Sequence, residues 1–155
     1  MDKVKKKKAL SLALKYLALR SRSETELKTY LDRKKFDRDV ITSVLNELKS
    51  YGYINDIQFT KDFVNYHKLK GHGIKKIRYE LQLKIADGNI IDEVISELFS
   101  LEDEFKRAKC LIEKREGKTG SIDEKWIKRQ AAYLQRRGFE SNIIFKVLKD
   151  YNPSE

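Results

Sequence analysis

Large apolar residues recur along the chain in a phrase that is met three times. Its first occurrence is Leu31, Phe36, Val40, Ile41, Val44 and Leu48. Adding 50 gives Leu81, Ala86, Ile90, Ile91, Val94 and Leu98, and adding 103 gives Leu134, Phe139, Ile143, Ile144, Val147 and Tyr151. Every position but Ala86 is a large apolar residue. The steps of 5, 4, 1, 3 and 4 residues are helical spacings around a short turn. Between the first two occurrences the match runs upstream, Tyr16 falling on Tyr66, Ser23 on Gly73 and Leu27 on Ile77. In the third, Ile74 falls on Ile127 and Leu81 on Leu134, but Ile77 falls on Gln130, and a longer connection over residues 117–121 displaces the first helix.

This pattern predicts an all-α fold of three tandem three-helix repeats, stacked into an elongated, curved, solenoid-like array. Residues 9–54, 55–101 and 102–155 are the expected repeats, with 1–8 as a basic N-terminal extension. The first repeat has a helix ending near Leu19, then helices over 24–34 and 38–51. The second has helices over 56–69, 74–84 and 88–100, and the third over 103–116, 122–136 and 141–151. Ser23 with Glu26, Asn55 with Gln58 and Ser121 with Glu124 have capping-box spacing. Asp37 and Asp87 stand where a carboxylate accepts free N–H groups ahead of the third helices. Gly52, Gly71, Gly117 and Gly138 follow helical runs, where a left-handed residue closes a helix. Phe59, Phe63 and Tyr66 form one expected core stripe, and Phe105, Ala108 and Ile112 another. Cys110 reads as core; Trp126 reads as core, with a partner-facing anchor as the other reading.

Charge adds a functional direction. Charged residues make up 37% of the chain, above the usual quarter, and the net charge is +10. Residues 1–8 carry +4, 9–54 carry +3, 56–101 are neutral and 102–155 carry +3. Such a balance favours a polyanionic partner or an acidic protein surface. The turn between first and second helices is basic each time: Arg20 and Arg22, then Lys68, Lys70, His72, Lys75 and Lys76, then Lys114, Arg115 and Lys118. The turns before the third helices are basic too, with Lys34, Lys35 and Arg38, then Lys84, then Arg136 and Arg137. Equivalent turns in a stack of like units line up, which predicts one basic ridge and possible ground for a second. With Arg78, the first set and the Arg136–Arg137 pair are the candidate contacts to a partner or DNA.

Other chemistry is thin. One cysteine excludes an internal disulfide, which fits a reducing cytoplasm. No apolar run approaches the roughly 18 residues of a membrane span. The basic start is followed by a stretch that Lys15 interrupts, which argues against a signal peptide. Gly71-His72-Gly73 lacks the strand and the further glycines of a phosphate loop. His67 and His72 have no second cysteine to complete a metal set. No catalytic constellation and no cofactor site can be assembled.

Several stretches carry a resemblance. They are Arg22-Ser23-Glu24-Thr25-Glu26-Leu27, Lys34-Lys35-Phe36 and Tyr51-Gly52-Tyr53-Ile54-Asn55-Asp56. Further on come Asp56-Ile57-Gln58-Phe59-Thr60, Gly71-His72-Gly73 and Ile77-Arg78-Tyr79-Glu80-Leu81. The third repeat has Tyr133-Leu134-Gln135-Arg136-Arg137-Gly138-Phe139. Over residues 9–151 the chain resembles the RecX family. Lys35 replaces the usual turn glycine, and Asn55 the first acidic residue of the junction. The resemblance implies a modulator, usually negative, of the RecA recombinase; a monomer is the separate expectation for its state. It implies binding along the groove of the RecA–DNA filament or at its growing end, and non-specific contact with single- or double-stranded DNA. Filament extension, ATP hydrolysis and strand exchange would then be hindered. A stand-alone helical DNA-binding protein is the competing reading. Against it, Val40, Ile41, Val44, Leu45 and Leu48 leave the third helix little polar surface for base edges.

Overall fold

The computed structural model describes residues 2–116 and 121–151. Among the described residues there are nine α-helices, one 3-10 turn and no strand. The first unit holds α1 (Lys3–Leu19), α2 (Glu24–Arg33) and α3 (Arg38–Ser50). The second holds α4 (Asp56–Leu69), α5 (Ile74–Gln82) and α6 (Gly88–Leu98). The third holds α7 (Leu101–Glu116), α8 (Glu124–Arg136) and α9 (Ser141–Leu148), which runs into the 3-10 turn Lys149–Tyr151. In every unit the third helix packs on the first and the second.

Each unit closes its own apolar core. In the first, Leu27, Leu31, Val40, Ile41, Val44 and Leu48 are buried with Ala9 and Ala13 of α1. In the second, Ile77, Leu81, Ile91, Val94 and Ile95 are buried with Phe59 and Val64. In the third, Leu134, Phe139, Ile143 and Val147 are buried with Ala108, Ile112 and Trp126. Burial of each such Leu, Ile or Val contributes about 1.5–3 kcal/mol. Trp126 is fully buried, so its reading as a partner-facing anchor is overturned. Gln130, the polar residue that interrupts the third unit's core phrase, is buried because Arg115 Nε donates to its Oε1 at 2.6 Å.

The residues that depart from expectation do so for local reasons. Ala86 is exposed, and Ile85 takes the buried place. In the first and third units the turn into the last helix passes through a left-handed residue, Lys35 (φ 68°) or Gly138 (φ 93°). The N–H of Phe36 or Phe139 then reaches back five residues, to the carbonyl of Leu31 or Leu134. The second unit has no left-handed residue there, and the N–H of Ile85 reaches back only four, to Leu81. Its buried residue therefore arrives one position early.

The basic residues 3–8 are not an extension but the first turns of α1, capped by Asp2, whose carboxylate accepts from the N–H of Val4 at 2.9 Å. Ser23 and Glu26 form the full capping box; Asn55 accepts from the N–H of Gln58 at 3.1 Å. The start of α8 lies two residues later than expected, so Asp123 replaces Ser121 as its cap and accepts from the N–H of Trp126 at 2.8 Å. Asp87 caps α6, whereas Asp37 makes no cap bond and turns 3.9 Å from Lys5 Nζ. Tyr66 is 54% exposed: the buried face of α4 runs through Phe59, Thr60 and Val64, and residue 66 turns away from it. Cys110 is exposed, since Ala108 and Ile112 set the inner face of α7. Gly117, expected to close that helix, lies outside the described residues.

Candidate functional site

The units meet through the N-terminal ends of their second helices. The first N–H groups of a helix lack intrahelical partners and favour negative charge. At the first joint the N–H of Glu24, opening α2, donates to Asp56 Oδ1 of the next unit at 2.9 Å. At the second, the N–H of Ile74, opening α5, donates to Glu104 Oε1 at 2.9 Å. Residues 24 and 74 are one repeat apart, so one device is used twice. Burial pushes both carboxyls above the usual range, more than their N–H donors and nearby cations pull them down.

The second joint carries more. Gly73 N–H donates to the Arg137 carbonyl at 2.7 Å, and Lys75 N–H donates to the Gly138 carbonyl at 3.0 Å. Arg137 Nη1 returns a bond to the Lys70 carbonyl at 2.8 Å. Arg107, paired with Glu104, donates to the carbonyls of Lys68 (3.3 Å) and His72 (2.8 Å). Backbone thus lies directly on backbone, which two glycines permit. A Cβ on Gly73 would sit 2.5 Å from the Gly138 carbonyl, and one on Gly138 would sit 2.4 Å from Lys76 Cβ.

This joint changes the picture of two basic ridges. The α4–α5 turn of the second unit is bonded to the α8–α9 turn of the third, so a turn of each kind merges there. Lys70, Lys75, Lys76, Arg136 and Arg137 come together, and no carboxylate among the described residues lies within ion-pairing distance of any of them. Five basic residues thus lie on, or at the helix ends beside, two turns bonded to each other.

The remaining candidates are engaged elsewhere. Arg20 pairs with Glu26 at 2.6 Å, and Arg22 lies over the Tyr16 ring at 3.9 Å. Lys68 is held by the Leu98 carbonyl (2.7 Å) and Asp103 (3.0 Å). Arg78 pairs with Asp92 at 2.6 Å. Arg115, besides its bond to Gln130, covers the Tyr133 ring at 3.9 Å. Lys114 is exposed on α7, and Lys118 lies outside the described residues. His72 shares a hydrogen bond with His67, Nδ1 to Nδ1 at 2.8 Å. Burial, with Lys76 and neighbouring cations, holds both imidazoles below the usual histidine value, so the pair is neutral near pH 7. Among the described residues, no group of three or more His, Cys, Asp or Glu is placed to hold a metal ion. No described helix is long and apolar enough to cross a membrane.

Sequence reading missed Asp56, Glu104 and Arg107, the side chains that lock the joints. The signal for Asp56 and Glu104 was present only as acidic residues in the first turns of α4 and α7, where such residues are ordinary, and Arg107 carried none.

Comparison with known proteins agrees with this architecture. Residues 9–48 match the first three-helix domain of RecX, and residues 102–148 match the third. Regulatory protein RecX of Bacillus subtilis is 35% identical over 140 residues, covering 89% of this chain and 53% of that protein. Regulatory protein RecX of Amycolatopsis mediterranei is 30% identical, covering 93% of this chain and 83% of that protein. The chain spans about half the length of the Bacillus relatives it matches. The crystal structure of RecX from Lactobacillus salivarius superposes with a TM-score of 0.83 at 22% identity, covering 96% of this chain and 97% of that one. A second crystal structure of regulatory protein RecX gives 0.80 at 23% identity, with 94% and 73% covered. With its three helical units, its repeated joints and these relatives, the chain belongs to the RecX family of regulatory proteins.

Proposed function

We propose that this chain is a non-catalytic, monomeric regulator of the RecA recombinase in the cytoplasm, built of three three-helix units of which the first takes in all of α1. It binds the RecA filament and hinders filament extension, ATP hydrolysis and strand exchange. The observation that supports this reading best is the cluster of Lys70, Lys75, Lys76, Arg136 and Arg137 at the second joint. Five cations on a rigid backbone make a contact for acidic protein surface or for the phosphates of the filament's DNA. Phosphate contact alone is non-specific, with Kd of about 10⁻⁴ to 10⁻⁶ M, and weakens steeply with salt. Binding of duplex DNA through the third helices is disfavoured. The buried faces of α3, α6 and α9 are their apolar ones, and α3 presents Asp39 and Glu47 beside its cations. The test is charge reversal of Lys70, Lys75 and Lys76 to Glu, read by binding to RecA on single-stranded DNA and by RecA ATPase activity. The variant is expected to bind at least tenfold more weakly, with a shallower salt dependence. Unchanged binding, or no effect of the parent protein on RecA at micromolar concentration, overturns the proposal.

A further inference from the structure

A second feature of the first helices repeats, and its leucines stay largely exposed. α1 ends in Tyr16-Leu17-Ala18-Leu19-Arg20, and α4 ends in Tyr66-His67-Lys68-Leu69-Lys70. Tyr, Leu and a cation recur at the same places, one repeat of 50 residues apart. Leu19 is 77% exposed and Leu69 is 90% exposed. Each tyrosine has a cation over its ring: Arg22 over Tyr16 at 3.9 Å, and Lys70 over Tyr66 at 4.8 Å. Each tip is therefore a bare aliphatic side chain beside a cation-covered tyrosine, at the end of a helix that packing holds in place.

A single exposed leucine needs no explanation. The same exposed leucine at equivalent positions of two consecutive units is a different observation, because it creates two like anchors set one repeat apart. A flat partner has no use for that register; a partner that itself repeats does. Arg20 is already paired with Glu26, so the leucine is the element the two tips share, and Lys70 adds a cation beside the second tip alone. Neither a phosphate backbone nor a base edge gains from an aliphatic tip, so a protein surface fits better than nucleic acid.

We propose that Leu19 and Leu69 are paired anchors that seat in equivalent apolar recesses on successive identical subunits of a protein filament. The proposal rests on the filament-binding reading above and adds the contact that recognises the filament's repeat. Two linked contacts act through effective concentration, so one anchor raises the occupancy of the other. The anchors therefore distinguish polymer from free subunit, which the cationic cluster alone does not do.

The experiment uses Leu19→Gln, Leu69→Gln and the double variant, each checked for an unchanged thermal midpoint. Binding is measured to RecA polymerised on single-stranded DNA with a non-hydrolysable ATP analogue, to RecA without nucleotide or DNA, and to anionic phospholipid vesicles. On the filament each single variant is expected to lose at least about tenfold in affinity. On free RecA each single variant is expected to lose no more than about twofold, since only one anchor engages at a time. Equal losses on filament and free RecA, or none on the filament, overturn the paired anchors. So does a loss seen only on vesicles, which would make the tips membrane contacts. If the unaltered chain fails to bind the filament, the proposed function itself fails; if it binds and the leucine variants bind equally, only the anchors do.

Discussion

Substitution of Gly73 by Ala tests the second joint more directly than any change of charge. The backbone at Gly73 is extended (φ −87°, ψ 169°), so alanine adopts it without strain. The cost comes only from proximity. The added Cβ would meet the carbonyl carbon and oxygen of Gly138 at 2.5 Å and the nitrogen of Phe139 at 2.6 Å. All three atoms are backbone and cannot rotate aside. Relief requires the two turns to part by about 1 Å, against ordinary carbon contact near 3.5 Å. That movement breaks the bonds from Gly73 and Lys75, each contributing about 0.5–1.5 kcal/mol, and overpacking of this kind costs about 1–3 kcal/mol. The expected loss is therefore about 2–6 kcal/mol, confined to the second and third units. Urea unfolding gives the magnitude, and hydrogen exchange at the amides of Gly73 and Lys75 gives the location. Gly88→Ala is the control, because a Cβ there meets nothing within 4 Å. A Gly73→Ala chain with the parent urea midpoint and parent amide protection would refute the argument that close backbone approach builds this joint.

Two further outcomes follow from single residues. Lys35 is exposed at φ 68°, where a side chain costs about 1–2 kcal/mol and glycine nothing, while glycine gives back about 0.5–1 kcal/mol in unfolded-chain entropy. Lys35→Gly should therefore raise stability by about 0.5–1 kcal/mol in thermal unfolding, and a lowered midpoint contradicts this. Glu104 is buried, and its carboxyl is held above the ordinary value; a group with a raised folded-state pKa stabilises the fold most at acid pH and loses that contribution as pH rises through the folded value. Against Glu104→Gln, which cannot titrate, the parent chain should gain relative stability as pH falls from 7 toward 4, and a difference independent of pH shows that the carboxyl is not shifted in this direction.

The helices were legible because their apolar spacing is strict and their caps are local. Where a boundary differs, turn chemistry is the cause: α5 stops at Gln82, short of 84, and its turn lacks the left-handed residue that Lys35 and Gly138 supply elsewhere. Many of the basic residues assigned to turns lie in the helix ends beside them: Lys68 closes α4, and Lys75 and Lys76 open α5. What charge and spacing did not reveal is which turns touch. Lys68 and Lys75 are seven residues apart in a run of like cations, yet one is clasped by the Leu98 carbonyl and Asp103 while the other faces outward. That division depends on a neighbouring unit, and a single unit's sequence does not encode its neighbour's position. The pair Gly73 and Gly138 was the available signal. Gly138 reads locally as a helix-end glycine and Gly73 falls on the cap Ser23; only the fold shows that Gly73 makes room for the Gly138 carbonyl and Gly138 for Lys76.

The two joints share a plan but not a strength. At the position of Gly73 the first unit has Ser23, a residue with a side chain, and no backbone-to-backbone bond crosses from the first unit to the second among the described residues. That joint rests on Glu24 N–H to Asp56 and on the Lys84–Glu26 pair at 3.5 Å. The pair is one side-chain contact, and burial of the Asp56 carboxyl works against its charge. The second joint adds two backbone bonds and the Arg107 clasp. The second and third units therefore form the stiffer pair, and the cationic cluster lies where stiffness is greatest. The first unit, carrying Leu19, is joined through side chains that can yield, while Leu69 sits on the rigid block. A partner whose repeat spacing varies would be followed by adjustment at the first joint, without disturbing the cations at the second.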